Sequence, residues 1–116
     1  MTIIRAESKP LAPTDMPGLE ACEALNAEAE SGALTAGAFL LRPNSELPVH
    51  RHRIEEGFYV VEGTGTLLIR DEEHTVAAGD FLLAPAWTPH GFRTGDGETL
   101  HCVYMYPALD PWTEML

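Results

Sequence analysis

At 116 residues, the chain has the length of one ordinary domain and is too short for two. Its apolar fraction of 45% and charged fraction of 22% are typical of a folded globular protein, which argues against extensive disorder. The formal net charge of −11 opposes binding to nucleic acid or to an anionic membrane, because both depend on contacts with phosphate groups. We therefore expect a single domain, residues 1–116, that binds neither.

The N-terminal sequence lacks the apolar stretch of a secretory signal, and no later stretch approaches the length of a membrane span. This pattern predicts a cytoplasmic protein. The two cysteines, Cys22 and Cys102, are too few for a disulfide framework and do not form a paired-cysteine zinc motif. We expect both to be free, buried thiols.

The predicted elements begin with residues 19–30, LEACEALNAEAE, whose composition and apolar residues at every third position favour a helix. Later in the chain, short runs of branched and aromatic residues alternate with turn signals. The runs are 58–61, 67–69, 81–83 and 103–106, and the turns are 43–44, 63–65, 71–73, 78–80 and 94–97. Short strands at this spacing predict an all-β sandwich or barrel. The glycine-rich residues 63–65 are interpreted as a hairpin turn, because a phosphate loop requires a following helix and a lysine.

Candidate metal ligands lie in the segment HRHRIEE, residues 50–56. His50 and His52 are separated by one residue, so in an extended strand both imidazoles point to the same face. Glu56 has the same parity, and Phe58 and Val60 continue it. Imidazoles and a carboxylate that share a face form a donor set suited to a divalent metal ion.

Seven positions of the chain resemble the two sequence motifs of the cupin family. From His50 to Gly63, two histidines flank one residue, a Glu follows after three more, and a Gly after a further six. From Gly79 to His90, the order is Gly, five residues, Pro85, four residues and His. Asn44, Trp87 and Thr94 stand where the motifs have Gly, Gly and Asn. Asn44 can still adopt the left-handed conformation of a turn.

The resemblance implies an all-β fold, a double-stranded β-helix or jelly-roll barrel. It divides the chain into leading strands at about residues 1–42, a metal-binding core at about 43–106 and a C-terminal excursion at 107–116. It also reverses the interpretation of residues 19–30 from helix to strand, since similar proteins have two leading strands there. It implies one divalent transition metal ion per chain, iron, manganese, nickel or zinc, held by His50, His52, Glu56 and His90.

The pocket around this ion is expected to include Phe58, Val60 and Trp87. His101 and Tyr104 are further candidates, although apolar residues on both faces of their strand leave its orientation open. A divalent ion with three neutral imidazoles and one carboxylate has a net charge near +1 and open positions for oxygen ligands. These features predict a small-molecule ligand, such as a carboxylate, a carbonyl compound or a sugar derivative.

Two functions remain open. The first is a metal-dependent enzyme, a dioxygenase, isomerase or lyase, in which Glu56 is either a ligand only or a catalytic general base. The second is a non-catalytic module that binds a sugar or an organic acid. We also expect a homodimer, because compact cupins commonly pair through an outer sheet face, and residues 3–4 and 103–106 offer apolar surface.

Overall fold

The computed structural model describes all 116 residues, and its regular structure is almost entirely β-strand. The strands are β1 (Ala12–Pro13), β2 (Leu19–Leu25), β3 (Thr35–Leu41), β4 (Glu46–Arg51), β5 (Glu56–Ile69), β6 (Glu72–Ala77), β7 (Phe81–Ala84), β8 (His90–Arg93), β9 (Leu100–Tyr106) and β10 (Glu114–Met115). Two single 3-10 turns, Ala6–Ser8 and Ala27–Ala29, are the only helical segments. The prediction of an all-β fold is confirmed.

Two antiparallel sheets face each other and share one long strand. The first sheet has the order β1-β2-β3-β9-β5-β7 and contains the N-terminal half of β5. The second has the order β10-β4-β8-β5-β6 and contains the C-terminal half. Because β5 passes from one sheet to the other, the sheets form two sides of one barrel, the double-stranded β-helix that the family resemblance implied.

The crossing point of β5 corrects one sequence-based interpretation. Residues 63–65 do not form a hairpin turn, because they lie inside the continuous strand Glu56–Ile69. Gly63 has a φ of +87°, and a Cβ atom at this position would lie 1.7 Å from the carbonyl oxygen of Thr99. Only glycine permits both this backbone conformation and this close approach. The bend between the sheets therefore has the composition of a turn.

The segment 19–30 follows the family resemblance over its first part. Leu19–Leu25 is strand β2, and it pairs with β3 along its length. The remainder is not a strand, because Asn26 accepts a hydrogen bond from the amide of Ala29 at 3.2 Å and begins a 3-10 turn. Pairing between strands thus overrides the helical propensity of the Ala, Glu and Leu residues.

The hydrophobic core lies between the two sheets. Its largest contributions are Phe39, Leu41, Phe58, Val60, Leu67, Phe92, Leu100 and Cys102. The rings of Phe39 and Phe58 contact Phe92, with centroids 5.3 and 5.2 Å from its own. Both cysteines are free; Cys102 is buried and Cys22 half-buried. Burial raises the pKa of the Cys102 thiol to about 12, so it remains protonated and packs as an apolar group.

Leu100→Ala is expected to reduce the free energy of unfolding by about 2–5 kcal/mol, because it leaves a cavity at a fully buried position. Leu109→Ala is the matched control, since Leu109 is 46% exposed and its truncation should change stability by less than about 1 kcal/mol. Urea unfolding of both variants measures the difference. Similar losses in the two variants would contradict this assignment of the core.

Candidate metal centre

Four donor side chains from three strands and one loop meet inside the barrel. His50 lies in β4, Glu56 is the first residue of β5, and His90 is the first residue of β8. His52 follows the end of β4. In the ladder between β4 and β8, His50 and His90 are direct partners, so sheet pairing joins two ligands that are 40 positions apart in the sequence.

The approach of β4 to β8 requires a glycine beside this pair. The register between the strands shifts between Leu47 and His50. At this irregularity, a Cβ atom on Gly91 would lie 2.6 Å from the carbonyl oxygen of Leu47. Any larger residue at position 91 would push the strands apart, and with them the two histidines.

The four side chains are all buried, and their ligand atoms lie within 4.8 Å of one another. Oε1 of Glu56 is 3.0 Å from Nε2 of His52 and 3.2 Å from Nε2 of His90. Two ligands at right angles around an ion, each about 2.1 Å from it, lie about 3.0 Å apart. The cluster therefore has the dimensions of a coordination shell.

Hydrogen bonds on the far side of two imidazoles determine which nitrogen faces the cluster. Nδ1 of His50 donates to the carbonyl oxygen of Pro48 at 2.7 Å, and Nδ1 of His90 donates to that of Thr88 at 2.9 Å. A carbonyl oxygen can only accept, so in each neutral ring Nε2 carries a lone pair. For His90, this lone pair faces the Glu56 carboxylate. Two acceptors in contact require a cation between them, which a divalent ion supplies.

The ionisation of the cluster favours metal binding at neutral pH. Burial lowers the pKa of His50, which keeps this imidazole neutral and able to coordinate. Burial alone would raise the pKa of Glu56, but its short polar contacts and charge interactions with His52 and His90 outweigh this effect, and the pKa lies below its ordinary value. Glu56 is therefore a carboxylate. The cluster fits one metal ion, and the donor set alone does not identify it.

A cavity of about 220 Å³ opens onto three of the four donors. Its walls are formed by Leu19, Ala21, Phe39, Leu47, His50, His52, Glu56, Phe58, Tyr104, Tyr106, Pro111 and Thr113. Phe58 and Tyr104 are among these walls, and their contact with a substrate stays a prediction. No Arg or Lys side chain reaches this cavity.

Three predicted pocket residues lie outside the cavity. Val60 points inward but is packed completely within the core. Trp87 lies at the surface, 46% exposed, with the Arg51 guanidinium 5.1 Å from its ring centroid. His101 pairs with Leu40 on β3, and its side chain faces the outside of the first sheet, since the inward residues of β9 are those of even number. None of the three is among the walls of this cavity, and any contact with a substrate stays a prediction.

Sequence reasoning missed several walls of the cavity. Tyr106 shares the parity of Tyr104, and their rings stack with centroids 6.2 Å apart. If the orientation of one residue on β9 had been known, the alternation of side chains along the strand would have identified both tyrosines as walls of the cavity. Pro111 and Thr113 had no comparable signal, because nothing in their sequence context indicates that the C-terminal segment returns to the ligands.

The comparison with known families identifies the fold and the cluster as those of a cupin. The sequence model of the cupin domain matches residues 37–106. The chain belongs to the cupin family, which confirms the resemblance seen in its motifs. Among solved structures, the polyketide cyclase RemF from Streptomyces resistomycificus superimposes with a TM-score of 0.88 at 24% identity, covering 100% of this chain and 85% of that one. This likeness supports the fold.

Two curated relatives are dioxygenases. The 5-nitrosalicylic acid 1,2-dioxygenase of a Bradyrhizobium species is 38% identical over 68 residues, which are 58% of this chain and 33% of that protein. Gentisate 1,2 dioxygenase 1 of Aquipseudomonas alcaligenes is 37% identical over 59 residues, 50% of this chain and 17% of that protein. The chain thus spans a third or less of the length of these relatives. None of its helical segments is long and apolar enough to cross a membrane.

We expect about one divalent ion per chain, bound by the four buried donors. His50→Ala and His90→Ala should each weaken zinc affinity by about 100-fold or more, because each removes one of four ligands that together contribute roughly 10–16 kcal/mol at structural zinc sites. His101→Ala is the matched control, since this imidazole faces away from the cavity. Elemental analysis and competition with a zinc chelator measure the effect. Parent-like affinity in both ligand variants would show that the site is elsewhere.

Proposed function

We propose that the chain is a metal-dependent dioxygenase that acts on a small hydroxylated aromatic acid. The observation that carries this proposal is that the buried four-donor cluster opens directly into a cavity with aromatic and aliphatic walls. Cavities for drug-sized ligands measure roughly 300–1,000 Å³. At about 220 Å³, this one suits a smaller compound, such as one with a single ring.

The charges of the cavity restrict how such a substrate binds. Glu56 is its only anionic wall, and no cationic side chain lines it. A substrate carboxylate could not be compensated by the apolar walls, and burying it unpaired would be costly. An acidic substrate must therefore place its anionic oxygens at the metal ion. A carboxylate with an adjacent hydroxyl has two oxygens in the required arrangement.

The chain's own residues would orient the ring and exclude water. Phe58 and Phe39 contact each other with centroids 6.4 Å apart and interplanar angle 84°, and they form the apolar wall on one side of the donors. Tyr104 and Tyr106 form a second aromatic wall. Burial raises the pKa of both phenols, so they stay protonated at neutral pH. A redox-active ion such as iron would supply the chemistry with dioxygen.

The dioxygenase names of the two curated relatives support this proposal, since salicylates and gentisate are single-ring acids with a carboxylate beside a hydroxyl. A non-catalytic binding module is the second candidate. It is favoured by the scarcity of ionisable groups in the cavity, where the donors are accompanied only by the two phenols. Substitution of Glu56 distinguishes the enzyme from the binding module.

Iron-loaded protein, tested with and without oxygen, is expected to consume salicylates or gentisate, but not unsaturated uronates or β-diketones. Glu56→Gln should lower kcat by about 10²–10⁴-fold even when excess iron fills the site, if the carboxylate acts as a base or tunes the ion. Oxygen uptake and product absorbance measure turnover. Glu55→Gln is the matched control, because Glu55 is the adjacent carboxylate and is exposed.

One result would contradict the proposed dioxygenase, and another would contradict the proposed role of Glu56. If the iron-loaded parent binds members of the panel but leaves them unchanged under oxygen, the chain is a binding module. If turnover survives Glu56→Gln at the parent rate, Glu56 has no part in the mechanism beyond holding the ion.

An apolar outer strip on the first sheet supports the proposed homodimer. Its members are Tyr59, Phe81, Leu83 and Met105, which are exposed on three neighbouring strands. The rings of Tyr59 and Phe81 contact each other, with centroids 4.7 Å apart. Within the predicted segment 103–106, only Val103 and Met105 face outward, because Tyr104 and Tyr106 line the cavity. A second copy of the chain would remove this strip from water.

The double variant Phe81→Glu/Leu83→Glu is expected to be monomeric under conditions where the parent is a dimer, because it places two charges in the apolar outer strip. Light scattering at micromolar concentration measures the mass. Thr75→Glu, at an exposed position on β6 in the other sheet, should leave the dimer intact. A monomeric parent would rule out the homodimer.

A further inference from the structure

His52 differs from the other two imidazoles in how it is oriented. His50 and His90 each donate from Nδ1 to a carbonyl oxygen two residues earlier in their own segments. His52 lies beyond the end of β4, and its Nδ1 is instead 3.0 Å from the hydroxyl oxygen of Thr113. This partner is 61 positions away in the sequence. The orientation of one donor therefore depends on a distant segment.

The segment that carries Thr113 is fixed on both sides of this contact. Strand β10 pairs antiparallel with β4, with Glu114 opposite Arg51, and the two side chains form an ion pair at 2.8 Å. Before Thr113, the carbonyl oxygen of Pro111 accepts a hydrogen bond from the amide of Arg53 at 3.1 Å. Residues immediately before and after His52 thus hold the segment in register, and the hydroxyl has a defined position.

We propose that Thr113 is a positioning residue for His52, and that residues 111–115 complete the metal centre. This rests on the proposed metal binding. If Nε2 of His52 coordinates an ion, the ring proton must lie on Nδ1, where it needs an acceptor. The Thr113 hydroxyl is that acceptor, and it fixes the ring with Nε2 directed at the Glu56 side of the cluster. The ring of Tyr106 stacks against it with an interplanar angle of 28° and centroids 6.3 Å apart, but makes no hydrogen bond to Nδ1.

The test compares Thr113→Val with Thr113→Ser in the full chain. Valine keeps the shape of the side chain but removes the hydroxyl, whereas serine keeps the hydroxyl. Zinc affinity, measured by competition with a chelator, should fall about 10–100-fold in Thr113→Val and stay within about threefold of the parent in Thr113→Ser. The visible absorption of cobalt-loaded protein should change in Thr113→Val only, because the geometry around the ion changes.

Glu114→Gln is the matched control for docking of the segment, because it removes the surface ion pair and leaves Thr113 unchanged. It should keep the zinc affinity and the cobalt spectrum of the parent. The proposal is overturned if Thr113→Val also keeps both, or if Glu114→Gln loses as much affinity as Thr113→Val. The zinc affinity and the cobalt spectrum are measured without a substrate, so both are independent of the dioxygenase activity. A parent that binds neither zinc nor cobalt would refute the metal centre itself, and the role of Thr113 with it.

Discussion

The antiparallel contact between β4 and β8 is the constraint on which the metal centre depends. It places His50 directly opposite His90, and the strands around it bring His52 and Glu56 to the same point. Each side chain alone would be an unremarkable polar residue of a strand or loop. Together they form a buried cluster whose lone pairs and carboxylate repel each other unless a cation lies between them. The fold therefore places a cluster that a cation would stabilise at a point that no Lys or Arg side chain reaches.

The position of this negative cluster also determines how the cavity can hold a ligand. The apolar walls let a ring be buried but offer no compensation for charge, so the polar end of any acidic ligand has a single favourable location. In the proposed function, specificity for oxygen donors would follow both from the absence of charged groups in the walls and from the metal ion held by the cluster. In a chain with a net charge of −11, a divalent ion bound by the cluster would give the cavity a local positive charge that attracts an anion.

The four-residue cluster was predictable from the sequence because metal chelation requires both particular residue types and a particular spacing. Shared parity is not why His50, His52 and Glu56 meet, because residues 52–55 form a loop between β4 and β5; the spacing of the two cupin motifs identified all four residues, including His90. The pocket walls were less predictable. On β9, apolar residues on both faces concealed that His101 faces outward while Tyr104 faces the cavity. Parity also does not measure depth, so Val60 points inward and is nevertheless covered by the core.

Pairing between residues far apart in the sequence accounts for the other differences between the sequence-based predictions and the structure. Strand β2 forms against its local helical propensity because β3 provides a partner along its whole length. The glycine-rich residues 63–65 have the composition of a turn because a strand that changes sheets needs the same backbone freedom as a hairpin. The contact of Thr113 with His52 joins residues 61 positions apart, and no local pattern encodes it.

The close packing at Gly91 has a consequence for how such a protein can diverge. With a carbonyl oxygen 2.6 Å from where a Cβ would be, the position next to His90 admits no side chain. Substitutions at position 91 are therefore not available as a way to change the surroundings of the metal site on that side. The walls supplied by β2 and β3, which are Leu19, Ala21 and Phe39, lie on neither of the two strands that pair His50 with His90. New substrates can therefore be acquired by exchanging these walls, while the ligand geometry is inherited unchanged.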